Sequence, residues 1–351
     1  MKSRAESLSG ALVVVTPSAA SSAGVPLAAG AIVSPASAAD GVWGTFTALG
    51  TGVNGNVYTL AASDDTLYAV GLFTAASGVA DADKIAAWSS STWHPLGTGM
   101  NGSTYALAVT DNTLADDTIY AGGAFTLASG VADTNYIAAW SDDTWHPLGT
   151  GMNGSVLALA ATDDTIYAGG AFTEASGDAN IIRIAAWANN TWHPLGTGIL
   201  GTVRALTTDD THGLLYAGGD FTTAGSVIAN RVAVWDMGID TWIPLQYTTG
   251  QRGVGGPVRA LTVDDSVVYL GGEFTNAGGD ANADRVARWT WDAPQGSNAV
   301  AGAVGDAVTI TGEGFVGVPQ TGGVLVGSIP ATYTRNDSTS ITFTVPAGVS
   351  G

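Results

Sequence analysis

Between Thr104 and Gly149 the apolar residues fall into four short runs: Thr104–Val109, Thr118–Thr126, Tyr136–Trp140 and Thr144–Gly149. Each run is bounded by Gly, Asp, Asn or Ser, and none is long enough to make a helix. The composition is that of strands, and both faces of each run are fairly apolar. This pattern predicts a small antiparallel sheet covered on both sides. Asp-Asp pairs mark one turn of the unit: Asp64-Asp65, Asp116-Asp117, Asp163-Asp164, Asp209-Asp210 and Asp264-Asp265. Carboxylates at such a turn accept local backbone N–H bonds.

The unit recurs five times. A Tyr-x-Gly-Gly-x-Phe-Thr string, with Val70 replacing the first Gly in the first copy, carries Phe73, Phe125, Phe172, Phe221 and Phe274, which lie 52, 47, 49 and 53 residues apart. A unit this short cannot bury its own apolar faces and must stack on copies of itself. The expected fold class is therefore all-β: a five-bladed β-propeller of four-stranded blades. A sixth, irregular blade or an incomplete ring is the alternative. The glycine pair lets neighbouring backbones approach closely, and the two Trp of each unit supply area between blades.

The chain enters the array with Trp43-Gly44-Thr45-Phe46-Thr47-Ala48-Leu49-Gly50, which aligns with Thr-Trp-His-Pro-Leu-Gly, the fourth strand of a unit. The fifth unit has its first three strands (Pro257–Leu261, Val267–Phe274, Arg285–Trp289) and then runs into Trp291-Asp292-Ala293-Pro294 without a clear fourth. The expectation is that the N-terminal strand completes the last blade and closes the ring, leaving no unpaired edge.

The order of short strand, Tyr-x-Gly-Gly, apolar-x-x-Trp and Thr-Trp-x-Pro-Leu resembles a kelch, or galactose-oxidase-type, propeller repeat, of the kind found in secreted bacterial surface proteins and fungal cortical polarity-marker proteins. The resemblance covers residues 43–291 and speaks to fold more than to activity. After Pro294 the pattern changes to Val304–Phe315, Val324–Val326, Ile329–Thr332 and Ser340–Gly348, with period-two alternation in Ala307–Thr311 and Thr339–Val345. Val-Thr-Ile-Thr-Gly-x-Gly-Phe and Val-Pro-Ala-Gly together resemble an IPT/TIG domain, which implies a partial immunoglobulin-like β-sandwich, truncated at Gly351 and continued by further modules in a longer protein. The domain boundaries read as 1–39, a signal peptide or disordered leader; 40–293, the propeller; and 294–351, the truncated IPT/TIG domain.

Composition narrows the partners. The net charge is -19, and from Asp40 to Ile182 Lys84 is the single basic residue. Such a surface repels phosphate backbones and anionic lipid, so no nucleic acid is expected. No apolar run reaches the length of a membrane-spanning helix. Lys2, Arg4, the apolar stretches Ala11–Val15 and Val25–Val33, and Ala36-Ser37-Ala38 before Ala39-Asp40 fit an export signal with an A-x-A cleavage site. A secreted or cell-surface location follows, and the lack of Cys does not argue against it.

Catalytic chemistry finds little support. Galactose oxidase, which the resemblance brings to mind, needs a copper site with a Cys-linked Tyr, and the chain has no Cys. There is no Gly-x-Ser-x-Gly elbow, His-Glu-x-x-His or P-loop. His94, His146 and His193 repeat in Trp-His-Pro-Leu motifs; in a ring, equivalent positions point apart and cannot share a metal. The loops between second and third strands carry Asp81, Asp83, Asp133, Asp178, Asp280 and Asp284, oxygen ligands that suit calcium but lack EF-hand spacing. Asx-turns are the alternative, and no other cofactor is expected. Arg204 and Arg259 occupy the first-strand position that Tyr58, Tyr105 and Leu157 hold in other units. With Arg252 they would place cations near a channel mouth, suited to an acidic sugar or peptide carboxylate; an inter-blade ion pair with a turn Asp is the alternative. The expected function is a non-enzymatic surface protein binding a carbohydrate or protein. A purely architectural repeat, or a glycan lyase or hydrolase using channel-mouth residues, is the alternative.

Overall fold

The computed structural model describes residues 46–110, 117–245, 252–264, 267–290, 304–311, 321–326, 329–337 and 340–347. The leader at 1–39 and Trp43 lie outside them. The described chain is all-β, and its repeats form five antiparallel sheets in sequence order. The first comprises β1 (Val57–Ser63), β2 (Thr66–Gly71), β3 (Ile85–Ser89) and β4 (Thr92–Pro95); the second, β5 (Thr104–Thr110), β6 (Thr118–Gly123), β7 (Ile137–Ser141) and β8 (Thr144–Pro147). The third comprises β9 (Val156–Ala161), β10 (Ile166–Gly170), β11 (Ile184–Ala188) and β12 (Thr191–Pro194). A short ribbon of β13 (Ile199–Leu200), β16 (Thr223–Ala224) and β17 (Val227–Ile228) flanks the fourth sheet, which comprises β14 (Val203–Asp209), β15 (Leu214–Gly219), β18 (Val232–Asp236) and β19 (Thr241–Pro244). The fifth sheet has three strands: β20 (Val258–Asp264), β21 (Val267–Gly272) and β22 (Val286–Thr290).

Local sequence explains the turns. The hairpins between third and fourth strands place Ser90-Ser91, Asp142-Asp143 and Asn189-Asn190 at positive φ, the left-handed region that short polar residues tolerate. A second corner repeats five times. Lys84, Tyr136, Arg183, Arg231 and Arg285 all sit at φ between 65 and 69. Each donates its N–H to the carbonyl of the repeat Phe (Phe73, Phe125, Phe172, Phe221, Phe274). Fully buried phenylalanines thereby pin the long loop to its own sheet.

Two contacts join one sheet to the next. The innermost strands pack side by side in the order β1, β5, β9, β14, β20. At three of these seams only glycine fits, because a Cβ on Gly122, Gly169 or Gly218 would lie 2.5 Å from the Cγ1 of Val156, Val203 or Val258; at the first seam Val70 holds the equivalent position and the facing strand carries Thr104. Farther out, the indole N–H groups of Trp93, Trp145, Trp192 and Trp242 donate to the carbonyls of Leu49, Leu96, Leu148 and Leu195, all at 3.0 Å. Each of these tryptophans also lies directly across its hairpin from another, with ring centroids 5.1–5.4 Å apart. The two Trp therefore do different jobs: one backs the other, which reaches the preceding unit.

Closure differs from expectation. Residues 46–48 form no strand, and Leu49 is tied to the first sheet by the Trp93 indole, its carbonyl also accepting the local Gly52 N–H. The fifth sheet keeps three strands among the described residues, and β20 does not pack on β1 as the other innermost strands pack on one another. An open sheet edge calls for a cover, but the N-terminal strand of the same molecule is not the only element that can supply one.

The C-terminal segment contributes one four-stranded sheet in the order β23 (Ala307–Thr311), β26 (Ser340–Thr344), β25 (Ile329–Asp337), β24 (Thr321–Val326). Its described core is small: Val308, Tyr333, Ile341, Phe343 and Val345. A second sheet of a sandwich is not among the described residues.

The seams predict opposite responses at equivalent glycines. Gly169→Ala and Gly218→Ala should each destabilise by about 1–3 kcal/mol, the usual cost of overpacking. Gly271→Ala should be neutral in the isolated molecule, because there a Cβ meets nothing closer than Ala260 at 3.6 Å. Denaturant midpoints measured in parallel check the contrast.

Candidate functional site

The five first-strand positions singled out by the sequence share a feature it did not reveal. In every sheet the register between first and second strands skips one residue: Tyr58, Tyr105, Leu157, Arg204 or Arg259. Each is therefore a bulge, and a bulge re-aims its side chain out of the pleat. Tyr58 and Tyr105 meet with ring centroids 5.7 Å apart. Desolvation, and then the Tyr105 hydroxyl, push the Tyr58 pKa above its ordinary value against a hydrogen bond from Asn56. Tyr105, Leu157 and Arg204 line one cleft of about 60 Å³, too small for a sugar ring.

The cations at this end are neutralised. Arg204 Nε lies 2.5 Å from Asp220, while Arg259 holds Glu273 at 2.7 Å and reaches Asp220 at 3.6 Å. Asp220 precedes the repeat Phe221, so it is a turn Asp shared by two neighbouring sheets. The two close pairs each lie within one sheet, and the 3.6 Å contact of Arg259 with Asp220 runs between neighbouring sheets. Arg252 lies in the following connection, where its carbonyl accepts the Asn230 amide at 2.9 Å.

The acidic loop residues serve turns. Asp178 accepts from the backbone and side chain of Asn180, Asp280 does the same for Asn282, and Asp284 accepts the Asn276 N–H. Asp81 and Asp133 stand at positive φ, and Asp83 lies 3.8 Å from Lys84. Among the described residues no three His, Asp or Glu side chains converge as metal ligands. His94, His146 and His193 are exposed on separate fourth strands, and His212 pairs with Asp209 at 2.8 Å.

A larger groove opens at the opposite rim, between the second and third sheets. It encloses about 580 Å³ and is lined by Tyr120 and Thr118 on one side and by Asp163, Asp164, Trp187 and Asn190 on the other. Trp187 is half-buried against Trp192, and burial raises the Tyr120 pKa, opposed by a hydrogen bond with Thr110. The Asp-Asp and Asn-Asn turns bring acceptors and donors to the edge of an aromatic surface. Sequence reasoning read these residues only as turn formers; their adjacency across two units needs the stacking of the sheets. In the next seam Tyr167 is pushed up to about 12, chiefly by burial and then by Asp210. The Asp210 carboxyl is itself raised, first by desolvation and then by Asp163 and Asp209, against a hydrogen bond from Thr208.

One buried ion pair ties the C-terminal sheet to the repeats. Both terminal nitrogens of Arg335 donate to the two oxygens of Asp236, at 2.5 and 2.6 Å. Asp236 is 0% and Arg335 2% exposed. Asp236 stands where other units have Ser89, Ser141 and Ala188, and Arg335 is the single basic residue after Pro294. These were the available signals, and neither points to the other without coordinates.

Comparisons with known proteins bear on this C-terminal part. The IPT/TIG domain model matches residues 297–351, and IPT/TIG domains occur in extracellular proteins. No curated protein matches the chain. Among solved structures the chain is similar to a crystal structure of the computationally designed Ika8 protein, at 17% identity and a TM-score of 0.40, covering 82% of this chain and 71% of that one. No helix among the described residues is long and apolar enough to cross a membrane.

Two measurements follow. Asp236→Ala leaves a buried guanidinium without its counter-ion and should cost about 3–5 kcal/mol, whereas Asp236→Leu combined with Arg335→Met should recover most of it; urea unfolding of the three proteins checks this. The folded Asp210 carboxyl holds its proton more tightly than the unfolded one, whose ordinary value is 3.8. The wild type therefore loses stability as pH rises from that value towards the raised folded one. Asp210→Asn should match wild type below about pH 3 and become the more stable protein by neutral pH, read from melting temperatures across the range.

Proposed function

We propose that the five sheets are blades of a kelch-type propeller array in an exported surface protein, and that the protein binds neutral glycans without turning them over. The observation that carries this reading is the groove of about 580 Å³ between the second and third sheets. Trp187 and Tyr120 offer the apolar ring faces on which a sugar stacks. Asp163, Asp164 and Asn190 surround them with groups that accept and donate to hydroxyls. The groove's carboxylates select against acidic sugars, which would meet like charge in a chain of net charge -19. The inner Arg204 and Arg259 do not favour an anionic ligand instead, since Asp220 and Glu273 already occupy them.

Export rests on the Ala36-Ser37-Ala38 pattern, and the IPT/TIG segment agrees with an extracellular setting. In this reading the C-terminal domain is a spacer, docked by Arg335 so that the array is presented in a fixed orientation.

A glycan array at neutral pH tests the reading. Removing the Trp187 ring, whose burial under a sugar is worth about 1.5–3 kcal/mol, should weaken binding of the best neutral glycan roughly 10- to 100-fold. Arg204→Ala should leave it unchanged. Binding confined to uronic or sialic acids, or lost with Arg204→Ala and retained in Trp187→Ala, would reject the groove.

A further inference from the structure

The groove between the second and third sheets is lined by two carboxylates and by no Lys, Arg or His. Asp163 and Asp164 form the exposed tip of the β9–β10 turn, which Thr162 closes by donating its N–H to the Thr165 carbonyl at 2.9 Å. Among the described residues neither carboxylate accepts a hydrogen bond or pairs with a cation. Other Asp carboxylates are met within the molecule: Asp178 by Asn180, Asp220 by Arg204 and Asp236 by Arg335.

The rim around the groove is acidic as well. It carries Asp142 and Asp143 in the β7–β8 hairpin and Asp210 in the β14–β15 turn. Cations gather at the other end of the strands, with Arg204 and Arg259 at the bulges and Lys84, Arg183, Arg231 and Arg285 at the Phe corners. The molecule itself shows what the acidic end of a sheet draws. Asp236, at the close of the third strand of the fourth sheet, holds the place that Ala188 holds in the groove. It is met there by Arg335, the single basic residue after Pro294.

A neutral sugar stacked on Trp187 and Tyr120 would cover Asp163 and Asp164 without supplying a counter-charge. Desolvating unpaired carboxylates opposes binding, and a hydroxyl donor offsets that loss less well than a charged one. An ammonium group pairs with the carboxylates and also lies favourably against an aromatic face. From this geometry we infer that the preferred ligand of the groove is a glycan with free primary amines, a hexosamine whose nitrogen is not acetylated. It is held more tightly than the uncharged glycan of the same skeleton. The inference rests on the glycan reading of this groove and sharpens its substrate class. Trp187 and Tyr120 take the apolar face of the sugar, while Asp163 and Asp164 take its nitrogen. The negative rim speeds the approach of such a polycation, and salt slows it.

Calorimetric titration of the full chain tests this with an oligomer of glucosamine, its fully N-acetylated counterpart, and an oligolysine of equal charge. Mildly acidic pH keeps the sugar amine protonated and ordinary Asp carboxylates ionised. The amine form should bind roughly 10- to 100-fold more tightly than the acetylated form, and the advantage should shrink as NaCl is raised. Asp163→Asn combined with Asp164→Asn, at exposed turn positions that Asn suits, should remove the advantage and leave the acetylated oligomer bound as before. Trp187→Ala should weaken both sugars alike. Equal affinity for the two sugars, each weakened by Trp187→Ala, overturns the inference and leaves the glycan reading standing. Binding of neither sugar removes both. Oligolysine bound as tightly as the amine sugar shows a surface that reads charge alone, and that too overturns the inference.

Discussion

Adjacent sheets are held together by a reciprocal loan of surface. Each fourth strand carries a Trp whose indole N–H reaches a leucine carbonyl of the preceding unit while its ring shares a cluster with alanines of its own. The first strands of the third, fourth and fifth sheets press Val156, Val203 and Val258 onto Gly122, Gly169 and Gly218 of the sheet before. The first contact satisfies the polar atom of a buried aromatic, and the second lets backbones approach more closely than any side chain permits. Remove either and a sheet of fewer than thirty strand residues would face water on both sides, which so small a unit does not survive.

The same construction governs where chemistry is available. Bulges on the innermost strands aim Tyr58, Tyr105, Arg204 and Arg259 out of the pleat, but neighbouring turns supply Asp220 and Glu273 to meet the arginines. Charge that the sequence places in one region is therefore cancelled locally. At the other rim the turn residues project past the sheets, so Asp163, Asp164 and Asn190 keep their hydrogen-bonding capacity beside Trp187.

The ends of a repeat array obey the rules of its interior. Gly271 keeps the position of Gly122, Gly169 and Gly218, and a Cβ there would meet nothing closer than Ala260 at 3.6 Å. In the fourth unit the pattern is broken for a different purpose. Asp236 replaces a small residue at the end of β18 and becomes the buried anchor for Arg335. A pair so desolvated is a poor source of net stability but a strong determinant of where the second domain sits.

What the sequence determined alone was the layout of the repeating unit. Strand number per unit, the glycine positions, the paired Trp and the left-handed turns at Asp142-Asp143 and Asn189-Asn190 follow from local propensity and a period near fifty. The change of pattern after Pro294 was legible for the same reason. Tertiary structure decided the bulges on the innermost strands and what lies between units: the Asp220 contact with Arg259, the groove joining Tyr120 to Trp187, the Arg335–Asp236 anchor, and the absence of residues 46–50 from the fifth sheet. Periodicity is a property of one unit and its copies. Contacts between units depend on the angle at which they stack, and no stretch of residues encodes that angle by itself.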